Sequence, residues 1–182
     1  AKNMDGGVIV TASHNPAEFN GFKMVGRGAY PIGGDDIRDL LQVTQSGAFL
    51  NGKGVYTQTN TLDEYVSNIT RKISLARPLK VVVDTGNGVA GISAPRVLKE
   101  IGCEVIELFT ELDGTFPNHL PNPEEEKNLV ELKRQVVERG ADMGLGIDAD
   151  GDRMGLVDEH GEYMEADYII MLLAQDFLFR HP

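Results

Sequence analysis

Cysteine is almost absent from this chain: Cys103 stands alone among 182 residues. A single cysteine cannot form an internal disulfide, so the fold has no covalent staple and suits a reducing compartment. Cys103 itself reads as a small buried residue between a helix and a strand. Basic charge is also scarce, with 17 Lys and Arg against 28 Asp and Glu and a net charge of -11. Nothing resembles the basic stripe that a nucleic-acid backbone requires, which excludes that class of partner. An anionic substrate would need a local basic pocket within an acidic surface. Long apolar runs are missing too. The most apolar stretch, Tyr168 to Phe179, is interrupted by Gln175 and Asp176 and is too short to span a bilayer. The opening Ala1-Lys-Asn-Met-Asp-Gly-Gly7 has no apolar signal core. The expectation is a cytoplasmic protein with no membrane partner. No internal repeat and no low-complexity tract appear.

What is present is a regular alternation of elements. An apolar strand, Val8 to Ala12, leads into a serine turn, a Gly-rich stretch from Gly26 to Gly34, and a helix from Asp35 to Gln45. Early acids and Gly47 mark the ends of that helix. Gly52 to Asn60 is polar and reads as a linker. Helices are then expected over Leu62–Leu75, Val89–Ile101 and Leu129–Arg139, and strands over Leu79–Val83, Glu104–Leu108 and Met143–Ile147. Met154–Val157 and the segment around Tyr163 form a hairpin across Asp158 to Gly161. This alternation predicts an α/β fold with a mixed, mostly parallel sheet and helices on both faces. The last helix, Ala166 to Phe179, is apolar around most of its circumference and must be buried against something. Self-association through this helix is one way to cover it. Both ends of the chain read as interior to a longer protein.

Two motifs carry chemistry. In Gly146-Ile-Asp-Ala-Asp-Gly-Asp-Arg153 the carboxylates of Asp148, Asp150 and Asp152 alternate, so a looping backbone can converge their oxygens on one hard cation. Oxygen ligands favour Mg²⁺ or Ca²⁺ over zinc. Gly151 permits a tight loop, and Arg153 adds a phosphate-seeking fork. In Thr11-Ala-Ser-His-Asn-Pro-Ala17 the hydroxyl of Ser13 sits on a turn directly after a strand, where a rigid sheet can present a reactive group. Asn15-Pro16 fixes the turn. His14 is badly placed as a base for Ser13, since adjacent side chains in extended backbone diverge. Lys23, ten residues after Ser13, is a candidate proton acceptor or phosphate contact. Asp84-Thr-Gly-Asn-Gly88 reads as a tight strand–helix turn, and His119, in the Pro-rich loop Asp113 to Pro123, as an orienting or packing residue rather than a catalyst.

Other chemistries compete for these residues. Asp148, Asp150, Asp152 and Glu159 occupy loop positions one, three, five and twelve of an EF-hand, a calcium-binding module without catalysis. Its sixth position needs glycine and here holds Arg153, and the flanks read as strands. A haloacid-dehalogenase-type phosphatase would use Asp148 as nucleophile and Asp150 as acid/base, without need of the Ser13 motif.

The chain resembles the α-D-phosphohexomutases, in particular their bacterial phosphomannomutase/phosphoglucomutase branch. Thr11-Ala-Ser-His-Asn-Pro16 resembles that family's active-serine signature and Asp148-Ala-Asp-Gly-Asp-Arg153 its magnesium loop. Asn20-Gly-Phe-Lys23, Val83 to Gly88 and Phe116 to Pro121 follow the same order. The family's more common metal loop has glycine where this chain has Ala149. The resemblance implies a phosphoserine at Ser13, and Mg²⁺ held by Asp148, Asp150, Asp152 and a phosphate oxygen on Ser13. It also implies a transferring group stabilised by Arg153, Lys23 as general acid/base, and His14 against the reacting groups. Phosphate would move between the 1- and 6-positions of mannose or glucose through a bisphosphorylated sugar. The family has four domains. Residues 1–58 would be the end of domain one, 59–165 domain two, and 166–182 the opening helix of domain three. Such a fragment is expected to be inactive by itself.

Overall fold

Residues 4–181 are described by the structure, a computed structural model. Ala1, Lys2, Asn3 and Pro182, at the outer limits of the first and last expected segments, lie outside the described residues. The chain divides into two units, one running up to Ala12 and resuming over Asn20–Asn60, the other formed by Ser13–Phe19 with the chain from Thr61 onward.

In the first unit, β1 (Gly7–Val10) pairs antiparallel with β2 (Phe22–Val25), Ile9 facing Lys23 in the register. The pairing continues past the strand end, where the Thr11 N–H donates to Gly21 O at 2.9 Å. Helix α1 (Asp35–Ser46) opens on Asp35 and Asp36, where negative charge suits the helix dipole, and stops at Gly47 in the left-handed conformation. A two-stranded ribbon and one helix offer little apolar surface to bury. No described residue of this unit is buried. Strand β2 was not anticipated: its Phe-Lys-Met-Val run is too short to show a period.

The second unit is built on a five-stranded sheet in the order β4-β3-β5-β6-β7. Strand β3 (Lys80–Asp84) pairs parallel with β4 (Glu104–Leu108) and with β5 (Met143–Ile147). Strands β6 (Met154–Asp158) and β7 (Tyr163–Met164) complete an antiparallel half. The sheet is thus mixed, with the parallel pairs reached through helical crossovers and the antiparallel pairs through hairpins. Helix α4 (Val130–Arg139) covers one face, where Val82, Leu129, Leu132, Val136, Ala141 and Val157 form the core. Strand β5 reads Met-Gly-Leu-Gly-Ile because that face has no room for side chains. A Cβ at Gly144 would stand 2.7 Å from Val136 Cγ2, and one at Gly146 2.6 Å from Leu129 Cδ2. On the opposite face lie α2 (Leu62–Thr70), whose Val66 is fully buried, and α3 (Ala94–Glu100).

Two helices are shorter than their patterns suggest. Past Thr70, Lys72 and Ile73 donate three residues back to Ile69 O and Thr70 O, so α2 ends in tight turns. The Val89–Ile101 segment splits into a single 3₁₀ turn over Val89–Ile92 and α3, with the break at Ser93. Pro95, lacking an N–H, belongs in a first helical turn and starts α3 afresh. Cys103 lies half-buried between α3 and β4, and burial pushes its thiol pKa up. Helix α5 (Ala166–Arg180) forms, with Ile170, Leu172, Leu173 and Phe177 exposed. Among the described residues no helix is long and apolar enough to cross a membrane.

Candidate phosphoryl-transfer and metal site

The acidic loop is the connection between β5 and β6. Antiparallel pairing brings Ile147 opposite Met154, and the loop closes with the Asp148 N–H donating to Arg153 O at 3.1 Å. The Gly151 N–H returns to Asp148 O at 3.1 Å, and Gly151 takes a φ of 78°, which glycine adopts without strain. Ala149 is not among the residues with positive φ, so the alanine costs the loop no backbone strain. This geometry sets one ligand atom each from Asp148, Asp150 and Asp152 within 4.8 Å of one another.

Asp148 is the buried member. Its Oδ1 accepts the N–H groups of Asp152 and Arg153, each at 3.0 Å, and its Oδ2 accepts from Arg153 Nε at 3.3 Å. Burial lifts its carboxyl above the usual carboxylate range. The Arg153 backbone N–H opposes that shift, and the charges of Asp150 and Asp152 reinforce it. A cation placed among the three would remove the repulsion. Three hard oxygen donors with one phosphate-seeking arginine beside them fit a divalent cation such as Mg²⁺.

Ser13, 135 residues earlier in the chain, stands against this loop. Its hydroxyl donates to Asp148 Oδ2 at 3.1 Å, lies 3.4 Å from Asp150 Oδ1, and accepts from Arg153 Nη2 at 2.9 Å. The turn holds Ser13 at a φ of 55°, a left-handed conformation uncommon for serine, and closes with the Phe19 N–H on Pro16 O. Strain of this kind persists where surrounding contacts over-determine it. The ring nitrogen Nδ1 of His14 also contacts Arg153 Nη2. Ser13, His14, Asp148, Asp150, Asp152 and Arg153 therefore form one cluster. Lys23 stands on β2 in the first unit.

Three supporting features escaped the sequence. The Asp84 carboxylate, almost fully buried at the end of β3, faces His119 Nε2 at 3.0 Å, while His119 Nδ1 faces Leu120 O at 2.9 Å. Both ring nitrogens meet acceptors. Burial pulls the imidazole pKa down, but Asp84 and the Leu120 carbonyl outweigh it and raise the value above the ordinary one. This pair pins the Pro-rich loop to the sheet. Second, the turn after β3 meets the metal loop, the Val89 N–H donating to Ala149 O at 2.8 Å. Third, Glu124 Oε1 accepts from Arg153 Nη1 at 3.0 Å. Glu124 opens a run of three glutamates that reads as a solvated acidic patch, so no local signal could have found it.

An open apolar cleft of about 440 Å³, lined among others by Tyr65, Ile69, Val97 and Leu145, borders Asp150 and Gly151 but not Ser13. The polar cluster, rather than this cleft, has the groups for chemistry. The strands flanking the acidic loop argue against an EF-hand, which needs helices there. Asp148, with both oxygens already engaged, is ill-suited to the nucleophile role of a haloacid-dehalogenase-type phosphatase.

Comparison with known proteins points the same way. Residues 63–161 match phosphoglucomutase/phosphomannomutase alpha/beta/alpha domain II, and residues 1–51 match domain I. A phosphomannomutase/phosphoglucomutase of Pseudomonas syringae pv. tomato is 47% identical over 176 residues, covering 97% of this chain and 38% of that protein. A phosphoglucomutase of Neisseria meningitidis serogroup A is 42% identical over 178 residues, again covering 97% of this chain and 38% of the relative. The crystal structure of a phosphoglucomutase/phosphomannomutase family protein from Burkholderia thailandensis superposes with a TM-score of 0.92 at 45% identity, over 98% of this chain and 39% of that one.

Proposed function

The chain belongs to the phosphoglucomutase/phosphomannomutase family, and we propose that it carries the phosphoserine and metal half-sites of a phosphohexomutase. It spans 38% of the length of the two curated relatives described above, so the activity is that of a whole enzyme. In that enzyme residues 1–58 are the end of domain one, 59–165 are domain two, and 166–182 open domain three. The substrates are the 1- and 6-phosphates of mannose or glucose, and the compartment is the cytoplasm.

The observation that carries this reading is the hydroxyl of Ser13 held between Asp148 Oδ2 and Arg153 Nη2. A serine so placed can exchange a phosphoryl group within reach of both a cation site and a guanidinium. In the forward step the bond between Ser13 Oγ and phosphorus breaks as phosphorus bonds to a hydroxyl oxygen of the hexose phosphate. The hydroxyl proton passes to a base, for which Lys23 in its neutral form is the candidate. The bisphosphorylated sugar then turns over and returns its other phosphate to Ser13. Arg153 donates N–H groups to the transferring oxygens, and His14 lies against that fork. Asp148, Asp150 and Asp152, with an oxygen on Ser13, would hold Mg²⁺, which supplies charge neutralisation for a reaction that depends mainly on positioning and electrostatics.

The test is Ser13→Ala in the full-length enzyme. Turnover should fall by orders of magnitude while sugar-phosphate binding changes far less, because an interaction of the transition state is lost. Near-normal turnover, or trapped phosphate mapping to Asp148 instead of Ser13, would refute the assignment.

A further inference from the structure

The guanidinium of Arg153 is held along three edges. Nε donates to Asp148 Oδ2 at 3.3 Å, Nη1 to Glu124 Oε1 at 3.0 Å, and Nη2 to Ser13 Oγ at 2.9 Å, the Nη2 edge also meeting Nδ1 of His14 on the same turn as Ser13. A planar fork fixed at three points cannot turn about its terminal torsions without losing a contact. Two of those anchors are shared with the chemistry. Asp148 belongs to the carboxylate cluster that a cation would draw on, and Ser13 Oγ is the reacting atom. Glu124 belongs to neither.

Glu124 is itself held from outside the site. Its backbone N–H donates to Asn122 Oδ1 at 3.3 Å, and the buried Asn128 amide donates to Asn122 O at 2.9 Å. The loop before α4 therefore places this carboxylate without help from Ser13 or the acidic triad. An acid near a phosphate site repels the substrate, which makes its presence there a cost. The Glu124 side chain is 61% exposed, so water screens the long-range repulsion. The short directed contact to Nη1 survives that screening better.

We propose that Glu124 is a positioning residue, the anchor independent of metal and substrate that keeps the Arg153 fork turned toward Ser13. The inference rests on the phosphohexomutase reading for its effect on turnover, but the orientation of the fork can be measured without it.

The experiment therefore has two arms. In the 182-residue chain, ¹⁵N NMR of the Arg153 guanidinium should show hindered rotation, lost in Glu124→Ala and partly kept in Glu124→Asp. In the full-length enzyme, Glu124→Ala should lower kcat about tenfold, the loss of one charge-assisted hydrogen bond to a transition-state group. The KM for sugar phosphate should move by less than about threefold and Mg²⁺ affinity should not change. An unaltered guanidinium signal in Glu124→Ala overturns the proposal, and so does a freed guanidinium with unchanged kcat. A rise in KM alone also overturns it, since that would make Glu124 a binding contact. If the wild-type enzyme had no mutase turnover, the proposed function would fall while the NMR arm still decided whether Glu124 orients Arg153.

Discussion

Gly88→Ala separates backbone freedom from close approach at the edge of the metal loop. Gly88 has φ -81° and ψ 173°, an extended conformation that alanine adopts without strain. On backbone grounds alone, the alanine should stabilise by about 0.4–1 kcal/mol through the unfolded state. The new Cβ, however, would stand 2.5 Å from Ala149 Cα and 2.7 Å from Ala149 O. Carbon atoms in contact prefer about 3.5–4.0 Å, so the two backbones must part by roughly 1 Å. That strain costs about 1–3 kcal/mol, and the stretched Val89–Ala149 hydrogen bond adds about 1 kcal/mol. The net expectation is a loss of about 1–3 kcal/mol. Ala149 lies between two of the metal ligands, so Mg²⁺ affinity of the Ser13-phosphorylated chain should also fall, by about tenfold or more for 1.4 kcal/mol of lost binding. Urea unfolding gives the first quantity and calorimetric titration the second. Gly91→Ala is the control: its Cβ would stand 2.1 Å from Thr110 O, away from the acidic loop, and should cost stability without weakening the cation site. A Gly88→Ala chain as stable as wild type, or a destabilised one with unchanged Mg²⁺ affinity, would refute the reasoning.

His119 has a raised pKa, so its contribution to stability is complete below the ordinary histidine value of 6.5 and is lost as pH rises through the higher folded value. His119→Gln should flatten the pH dependence of Tm above the ordinary histidine value, and an unchanged profile would count against the Asp84 link. Asp150→Asn should have opposite effects on the metal-free and metal-bound chain. Removing one of the charges that help raise the Asp148 pKa leaves the metal-free chain at least as stable above the usual carboxylate range, while the stabilisation gained on adding Mg²⁺ shrinks. Thermal melts with and without Mg²⁺ check both signs. The exposed apolar side chains of α5 lead to an expectation of self-association, which light scattering should detect for this chain but not for one ending at Glu165.

Much of the second unit was legible because its elements are periodic and sharply punctuated. Strand β5 fell on Met143–Ile147 as expected, and α4 was closed by Gly140 in the left-handed conformation. The acidic loop was legible as well, since alternating aspartates after a strand converge with little help from the rest of the fold. The supporting contacts were not. Asp84 and His119 are 35 residues apart, and Arg153 and Glu124 are 29 apart. Nothing local marks either pair, because their pairing is a product of packing. The same holds for Gly88, whose need to be glycine comes from Ala149 across the loop and leaves no trace in its own φ.

The separation of Ser13 from Asp148 gives the site a kinetic character. Bringing together groups 135 residues apart costs a closure entropy of about 4 kcal/mol in a flexible chain. The short stretch Ser13–Phe19 packs with the second unit, while the residues before and after it in sequence cluster separately. Until that stretch docks, the chain holds an acidic loop and a serine turn but not the cluster they form together. Its release, an opening of seven residues, would take Ser13 away from the acidic loop with every strand of the five-stranded sheet intact. The assembled cluster therefore depends on the docking of one short stretch and is exposed to local opening. In the full-length enzyme of the proposed function, loss of turnover should precede loss of the sheet's circular dichroism signal as denaturant rises.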